Sequence, residues 1–319
     1  MKELTRLTKS LLFLAIIMDY LLQAESTERP IIGILAQETS PPIKRHFPGY
    51  SSYISAAYVK GVESSGARVV PIFIGKDESY YRTLIKSLNG LLLPGGNTWF
   101  YSSNGYADAG DILFETAKEM NNGGIHFPIL GICLGVELLL YLDNNKKEYR
   151  TNCHSKNIAL PLEFLPNYKC SKLFGSAPGD VLRILREEAV TLNQHRFCIT
   201  AKNLTEYGLD SRWRALSQNI DLKNDVVFIS TLESIDYPFA GLQFHPEKNA
   251  FEWRPDLHNP HFPDAIKSAR YFFDWIVNES RLNNNKFNNT EEEDAALIYN
   301  YQPTFTKRKL IYDQLYLFN

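Results

Sequence analysis

The feature that most constrains the fold is a strand-like segment that runs directly into a sharp turn and then into a helix. Residues 128–132 form an apolar run of strand length, and the pattern Gly-x-Cys-x-Gly occupies residues 131–135. Glycines on either side of Cys133 permit a tight turn without side-chain clash. Such a turn is the cysteine version of a nucleophile elbow, which lifts the reactive side chain above the carboxyl edge of a parallel sheet.

Strand-like and helix-like segments alternate along most of the 319-residue chain. Predicted strands cover residues 30–36, 68–74, 91–93, 128–132, 225–231 and 238–244. Predicted helices cover residues 51–65, 79–88, 106–121 and 264–279, and another begins at residue 135. This alternation predicts an α/β fold with a doubly wound, mostly parallel sheet and right-handed crossovers. The middle of the chain, residues 153–224, is less regular.

Two segments near the C-terminus differ in composition from the rest. Residues 281–294 are rich in Asn and then acidic, which favours a solvated surface linker. Residues 295–319 carry several aromatic side chains and are expected to pack onto the body of the protein. The length suits one large domain or two small ones, and residues 25–319 are interpreted as one domain.

The N-terminus has the composition of a secretory signal peptide, predicted to cover residues 1–24. Lys2, Arg6 and Lys9 precede a short apolar run at residues 11–18, and a Leu-Gln-Ala sequence offers a cleavage site. The run is short for a bilayer span, so no membrane association is expected after cleavage. A signal anchor and a buried N-terminal helix are the alternatives.

Three Asn-x-Ser/Thr sequences agree with passage through the secretory pathway, at Asn203, Asn278 and Asn288. Behind a signal peptide, each is a candidate glycosylation site. The predicted location is therefore the extracellular space or the lysosome, which is reached by the same route. The formal net charge of −2 gives no sign of the basic face that nucleic-acid partners usually require, so no such partner is expected.

The chain has four cysteines, which is few for a disulfide scaffold. No Cys-x-x-Cys spacing of the zinc-ribbon kind occurs in the sequence, and no metal site is predicted. With Cys133 as a free thiol, two of Cys153, Cys170 and Cys198 can pair in an oxidising compartment. The sequence leaves the pairing open.

A cysteine nucleophile requires a base, and His245 is the strongest candidate among seven histidines. It follows a predicted strand, so we expect it at the same edge of the sheet as Cys133. Glu247 lies two residues further on, where a carboxylate can orient the imidazole ring and stabilise its charged form. The helix after Cys133 presents its N-terminus to the sulfur, which favours the thiolate.

A third motif, Pro-Gly-Gly at residues 94–96, ends another predicted strand. Backbone amides in a glycine pair can approach a developing oxyanion because no Cβ atom blocks the way. The amides of Gly96 and Leu134 are therefore predicted to form an oxyanion hole with two donors. A plain turn is the alternative for this motif.

The order of these motifs, Pro-Gly-Gly, Gly-x-Cys-x-Gly and His-Pro-Glu, resembles that of the class I glutamine amidotransferase superfamily. More narrowly, the chain resembles the γ-glutamyl hydrolase family (folate conjugases, peptidase family C26) from about Pro30 to the C-terminus. The narrower likeness rests on stretches at residues 30–35, 53–60, 63–71, 89–96, 228–233, 245–248, 252–253 and 296–299.

This resemblance implies a flavodoxin-like three-layer α/β/α sandwich, a homodimer, and a reaction without metal or organic cofactor. It implies hydrolysis of the γ-linked glutamate tail of folylpoly-γ-glutamates and of antifolate polyglutamates. Carried over by position, Cys133 is the nucleophile and His245 the proton donor and acceptor. Glu247 matches the third member of the group.

Further substrate-binding candidates come from the same resemblance. His195 matches a family histidine near the substrate, and Tyr53 and Glu137 lie in matching motifs. As bare residues, these three also fit a loop histidine, a packing residue and a charge at a helix start. A polyanionic substrate requires Lys or Arg side chains near the cleft, but the sequence does not identify them.

Three other functions remain open at this point. The first is a glutaminase of the amidotransferase type, which the predicted signal peptide and the sequons argue against. The second is a catalytically inactive, secreted binding protein, which the complete set of Cys133, His245 and Glu247 argues against. The third is a general cysteine peptidase that cuts α-peptide bonds, which activity on α-linked and γ-linked glutamates would distinguish.

Overall fold

The computed structural model describes residues 26–319, so the predicted signal peptide, residues 1–24, lies outside the described residues. The strands are β1 (Ile31–Leu35), β2 (Gln37–Glu38), β3 (Ser52–Ser55), β4 (Arg68–Ile72), β5 (Gly90–Leu93), β6 (Ile129–Ile132), β7 (Thr151–Asn152), β8 (Lys156–Leu160), β9 (Glu163–Phe164), β10 (Thr191–Gln194), β11 (Phe197–Cys198), β12 (Trp213–Asp221), β13 (Val226–Ser234), β14 (Phe239–Leu242), β15 (Thr304–Phe305) and β16 (Gln314–Phe318). The α-helices are α1 (Pro41–His46), α2 (Ala56–Ser64), α3 (Glu78–Leu84), α4 (Tyr106–Asn122), α5 (Leu134–Asp143), α6 (Gly179–Glu187), α7 (Ala201–Glu206), α8 (Pro246–Phe251), α9 (Pro263–Arg281) and α10 (Thr290–Ala296).

The central sheet has eight strands in the order β4-β1-β5-β6-β14-β13-β12-β9. Strands β4, β1, β5, β6 and β14 are mutually parallel, and the three strands beyond β14 are antiparallel. Strands β1, β5, β6 and β14 are buried along their whole length, which explains their nearly continuous apolar sequences. The predicted α/β class and mostly parallel sheet are confirmed.

Helices cover both faces of this sheet, and each face has its own hydrophobic core. On one face, buried side chains of α4 and α5 pack against the strands. On the other, α2, α6 and α9 do so, with Phe272, Phe273 and Ile276 of α9 almost fully buried. The result is the three-layer sandwich that the resemblance implied.

The predicted helix at residues 51–65 is wrong in its first part, where Ser52–Ser55 forms β3. This strand pairs with β16 on one side and β2 on the other, in a separate sheet of order β15-β16-β3-β2. The Ser55 side chain accepts a hydrogen bond from the Ala57 amide and caps α2. A partner some 260 residues away along the chain therefore overrides the local pattern.

The Asn-rich and acidic segment at residues 281–294 is more ordered than a solvated linker. Asn283 is buried, and its backbone carbonyl accepts a hydrogen bond from Asn89 Nδ2 at 2.7 Å. The acidic run forms the first turn of α10, where carboxylates favour the helix N-terminus. Glu293 also forms an ion pair with Arg68, the first residue of the edge strand β4.

A disulfide joins Cys153 to Cys198, with a Cα–Cα distance of 5.9 Å, while Cys170 is an exposed free cysteine. This bond resolves the pairing that the sequence left open. It lies beside the small β7–β11 sheet, where the Cys153 amide donates to the Arg196 carbonyl at 2.7 Å. Among residues 26–319, no helix has the length and apolar character needed to span a bilayer.

Candidate active site

Three adjacent strands of the central sheet end at one edge and deliver the three sequence motifs there. Strand β6 leads into Cys133, its neighbour β5 leads into Gly95 and Gly96, and β14 on the other side leads toward His245. Because the three strands are parallel, their carboxyl ends lie side by side. The residues predicted from separate stretches of sequence are thus brought together.

Cys133 has the backbone conformation of a nucleophile elbow. Its φ is 51° and its ψ is −108°, a backbone conformation that residues other than glycine rarely adopt. A Cβ atom on Gly131 would lie 2.8 Å from backbone atoms of Gly135, and one on Gly135 would lie 1.9 Å from the Leu93 carbonyl oxygen. The strand, the turn and α5 therefore pack too closely for any side chain at either glycine.

His245 is held by a buried carboxylate. Its Nδ1 lies 2.7 Å from Glu247 Oε1, so Nδ1 carries a proton and donates it in a hydrogen bond to that carboxylate. Nε2 is buried and makes no hydrogen bond within the described residues. A Cβ atom placed on Gly95 would lie 2.8 Å from His245 Cε1 and 3.0 Å from Cys133 Cβ. The imidazole is thus a direct neighbour of the cysteine.

The charge states of this group follow from burial and neighbouring charges. Burial raises the pKa of Cys133 well above its ordinary value, and the carboxylates of Glu137 and Glu247 reinforce the rise. Burial also opposes ionisation of Glu247, but His245 and Lys248 outweigh it and lower the pKa of that carboxyl. The Leu134 amide at the helix N-terminus and Lys248 lower the pKa of Cys133, as expected, but burial and the two carboxylates outweigh them.

The two predicted oxyanion donors border the same cavity as the sulfur. The Leu134 amide, at the start of α5, is close enough to the Cys133 sulfur to lower the pKa of that thiol. Gln37 lies beneath the loop that holds Gly96: its Nε2 donates to the Pro94 carbonyl at 2.8 Å. A Cβ atom on Gly96 would lie 1.7 Å from Gln37 Oε1, so the Gln37 side chain packs directly against the backbone of this loop.

A cavity of about 260 Å³ opens above these groups. It is lined by Gly96, Asn97, Thr98, Trp99, Cys133, Leu134, Glu137, Arg150, Lys156, Gln194, His195, Arg196, Phe197, His245, Lys248, Ile311 and Tyr312. Within residues 26–319, no group of three or more His, Cys, Asp or Glu side chains is placed to bind a metal ion. The cavity thus combines a thiol, an imidazole and backbone amides with several basic side chains.

Comparison with known proteins identifies the family. The peptidase C26 model matches residues 30–247. Gamma-glutamyl hydrolase of Homo sapiens is 36% identical over 296 residues, covering 92% of this chain and 91% of that protein. Gamma-glutamyl hydrolase of Mus musculus is 38% identical over 294 residues, with 92% and 90% covered. The chain belongs to the peptidase C26 family. Gamma-glutamyl hydrolase B of Dictyostelium discoideum is a more distant match, 35% identical over 291 residues, with 91% and 83% covered.

Among solved structures, the chain is similar to the glutaminase domain of Trypanosoma brucei CTPS with bound acivicin. The TM-score is 0.49 at 13% identity, with 79% of this chain and 94% of that chain covered. Membership of the C26 family rests on the sequence matches, and the fold on the strand order described above.

Four basic side chains that the sequence could not single out line the cavity of this C26 family member. Arg150 is 7% exposed, pairs with Glu137 and Glu148, and lies between the rings of Phe100 and Phe197. The other three are the exposed Lys156 and Arg196 and the buried Lys248, whose Nζ lies 5.2 Å over the Tyr312 ring. No ion pair links these three to a carboxylate in the described part of the chain within 4.0 Å.

His195 lines the cavity near His245, as the resemblance implied. Its Nε2 donates to Asn193 Oδ1 at 3.1 Å, and its ring packs edge-on against Phe228. Burial and the nearby His245 lower its pKa to about 3, so this ring is neutral at physiological pH. His195 is therefore suited to hydrogen bonding and contact rather than to binding an anion as a cation.

Two weaker substrate-binding predictions come out differently. Tyr53 does not line the cavity, because its hydroxyl lies behind the wall, 3.3 Å from the Tyr312 hydroxyl and 3.4 Å from Gln37 Oε1. Glu137 does line it, but its two oxygens accept hydrogen bonds from Arg150 at 2.9 Å and Gln243 at 3.1 Å. Glu137 is thus a buried counter-ion of Arg150.

Sequence reasoning missed Tyr58, which lies within the catalytic group. Its hydroxyl accepts a hydrogen bond from the Gly95 amide at 2.9 Å and stands 3.5 Å from His245 Nδ1. The sequence pattern identifies Tyr58 only as one of several apolar positions on a helix. No local signal distinguishes it, because its partners lie 37 and 187 residues away along the chain.

The three predicted glycosylation sites differ in accessibility. Asn278 and Asn288 are exposed. Asn203 is 8% exposed, and its side chain forms a capping box with Thr200 at the start of α7. Since a glycan requires an accessible side-chain amide, the structure argues against Asn203 as an acceptor in the folded protein.

Proposed function

We propose that this chain hydrolyses γ-glutamyl amide bonds in folylpoly-γ-glutamates and antifolate polyglutamates, with Cys133 as nucleophile. The observation that carries the proposal is one cavity that presents Cys133, His245 and the amides of Gly96 and Leu134 together with unpaired basic side chains. Membership of the C26 family and relatives named gamma-glutamyl hydrolase support it.

In the first half-reaction, the Cys133 sulfur attacks the γ-carbonyl carbon of a glutamyl residue, and its proton passes to His245 Nε2. This transfer requires the imidazole form that carries its proton on Nδ1 and leaves Nε2 free to accept. The carbonyl oxygen becomes an oxyanion held by the amides of Gly96 and Leu134. His245 then gives the proton to the departing amine nitrogen, the C–N bond breaks, and a γ-glutamyl thioester remains on the sulfur.

In the second half-reaction, a water molecule replaces the amine. His245 removes a proton from the water as its oxygen attacks the thioester carbonyl, and the same amides hold the oxyanion. The C–S bond breaks, the sulfur recovers its proton from His245, and a free γ-carboxylate leaves. Glu247 accepts the Nδ1–H hydrogen bond throughout and stabilises the transient imidazolium.

The α-carboxylates of the glutamate tail explain the need for the basic side chains. Arg150 already neutralises Glu137 and Glu148, so its charge is largely compensated. Lys156, Arg196 and Lys248 line the cavity and form no ion pair within residues 26–319. They are the side chains that we assign to the carboxylates of the tail.

The test is product analysis of pteroylpenta-γ-glutamate incubated with the purified protein at acidic and at neutral pH. We expect shortened pteroylglutamates and released glutamates, and no products with Cys133→Ala. Cys170→Ala is the matched control, because Cys170 is an exposed cysteine outside the cavity. The product lengths report whether cutting is internal or at the chain end.

The same assay separates the other functions. Hydrolysis of glutamine without cleavage of the polyglutamate would favour a glutaminase. Cleavage of α-linked pentaglutamate as fast as the γ-linked chain would favour a general peptidase. Binding of the polyglutamate without turnover of any substrate would favour an inactive binding protein.

We also propose passage through the secretory pathway to the extracellular space or lysosome, and a homodimer. The Cys153–Cys198 disulfide supports the first, since such bonds persist in oxidising compartments. Expression in a secretory host with and without residues 1–24 tests it, with glycans expected at Asn278 and Asn288. Sedimentation tests the dimer, and a single species at monomer mass would contradict it.

A further inference from the structure

Two large aromatic side chains are exposed next to each other at the rim of the active-site cavity. Trp99 is 54% exposed and Tyr101 is 77% exposed, and their rings are stacked, with centroids 5.6 Å apart and planes 20° from parallel. Isolated exposed apolar residues are common on protein surfaces, but two adjacent stacked rings form one larger patch that still has exposed aromatic surface.

The loop that carries this pair is anchored at several points. Phe100, between the two rings, is 6% exposed and packs on Tyr141 with centroids 4.9 Å apart. Glu38 holds both ends of the loop, accepting hydrogen bonds from Thr98 Oγ1 at 2.6 Å and from the Tyr106 amide at 3.0 Å. These contacts anchor the loop and therefore hold both rings in their exposed positions.

The pair lies within reach of the reacting atoms. Trp99 lines the same cavity as Cys133 and follows Gly96 by three positions in the chain. Three residues span at most about 11 Å, and a γ-linked glutamyl unit, with two more chain bonds than an α-linked one, spans about 6 Å. An aromatic group one or two γ-glutamyl units from the scissile carbonyl therefore reaches the rings.

The cavity is chemically divided between this apolar rim and a basic part. Lys156, Arg196 and Lys248 supply positive charge without partner carboxylates, whereas Trp99 and Tyr101 supply flat apolar surface. A ligand that joins an anionic tail to a flat aromatic head matches both parts at once. We infer that Trp99 and Tyr101 form a subsite for the aromatic head of the substrate, the pteroyl group; this inference rests on the proposed function.

The test compares two substrates that share a tail and differ in the head. Wild type, Trp99→Ala and Tyr101→Ala are assayed on pteroyltri-γ-glutamate and on N-acetyl-tri-γ-glutamate, which has no aromatic group. Stacking on an aromatic side chain is worth about five- to thirty-fold in affinity. We expect kcat/KM on the pteroyl substrate, relative to that on the acetyl substrate, to fall by about this factor in Trp99→Ala. Trp99→Phe should retain most of the preference.

Trp253→Ala is the matched control. Trp253 is 56% exposed and stacked on His261, but it lies outside the active-site cavity. The ratio should not change in this variant. An unchanged ratio in Trp99→Ala and Tyr101→Ala would overturn the subsite. So would a change in sedimentation without a change in the ratio, because the pair would then be a contact between copies of the chain.

A binding experiment keeps the subsite separate from the proposed function. Pteroic acid, which has the aromatic head and no glutamate, is titrated into Cys133→Ala with and without Trp99→Ala. Binding that weakens about five- to thirty-fold without Trp99 supports the subsite even if neither substrate is hydrolysed. Equal binding would overturn the subsite even if hydrolysis proceeds as proposed.

Discussion

At the scale of single residues, Gly96 is the glycine of the described chain where an added Cβ atom would make the closest contact. A Cβ atom there would overlap Gln37 Oε1, and Gln37 cannot retreat freely because its Nε2 is bonded to the Pro94 carbonyl. In Gly96→Ala, we expect the loop to lift and the oxyanion donor to move. Loss of one such donor lowers kcat by about 10²- to 10³-fold, with a smaller effect on KM. Steady-state kinetics on a γ-glutamyl substrate measure both.

Gly179→Ala is the control for that experiment. Gly179 begins α6, and a Cβ atom there would meet no atom within 4 Å. Its activity should equal that of the wild type. A normal kcat in Gly96→Ala would show that the Gly96 amide does not stabilise the oxyanion.

The same scale shows which residues a sequence can predict. Cys133, His245 and Gly96 each belong to a short motif whose spacing carries its own geometric reason, and the structure brings them together. Tyr58 and Gln37 contact the same group, but they lie in an apolar helix and a short edge strand without a local signature. Of the basic residues of the cavity, Arg150 and Arg196 lie in connections, and Lys156 and Lys248 lie at the starts of β8 and α8. Which of them face the cavity depends on tertiary contacts.

At the scale of elements, Glu252 connects the end of α8 to the C-terminal segment. Its carboxylate accepts hydrogen bonds from the Asp313 amide at 2.5 Å and Ser55 Oγ at 3.2 Å. Burial raises its pKa to about 7, although Lys248 opposes the rise. The folded protein therefore holds this proton more tightly than the unfolded chain does.

The sign of the pH dependence follows from linkage. Below about pH 4.5, protonated Glu252 contributes about 3 kcal/mol to the free energy of unfolding. This contribution is lost as the pH rises from about 4.5 to about 7, and above that pH the free energy no longer changes through Glu252. In Glu252→Gln, this loss should disappear. Urea unfolding of both proteins at several pH values measures the difference. Parallel pH profiles for the two proteins would show that Glu252 titrates normally.

The elements that the sequence predicts well are those whose pattern is local. Strands buried on both faces have continuous apolar runs, and α9 has a clear helical period. Strand β3 and the ordered residues after α9 escape prediction for a different reason. Ser52–Ser55 forms a strand because β16 and β2 pair with it, and Asn283 is held by hydrogen bonds with Asn89 and with the His126 carbonyl.

At the scale of the whole molecule, the disulfide joins two segments that are 45 residues apart and carry much of the basic cavity wall. Arg150 precedes β7, and Arg196 precedes β11. A crosslink of this loop length stabilises the folded state by about 4 kcal/mol in the chain-entropy model. The double variant Cys153→Ala/Cys198→Ala should lose stability of this order and show a raised KM.

Cys170→Ala provides the reference for that comparison, since Cys170 makes no disulfide and is exposed. Urea unfolding and kinetics under oxidising conditions measure both effects. If reductant leaves the wild type as stable as before while the bond is demonstrably broken, the crosslink has no role in stability.

The C-terminal segment also sets an order of events in the making of the enzyme. Ile311 and Tyr312 form part of the cavity wall, and β16 lies between β15 and β3 in its sheet. At about 5–20 residues per second, residues 311–318 leave the ribosome several seconds after His245. The wall that confines the substrate therefore depends on residues made well after the catalytic pair, so a chain interrupted between them would have Cys133 and His245 without a finished chamber in which to use them.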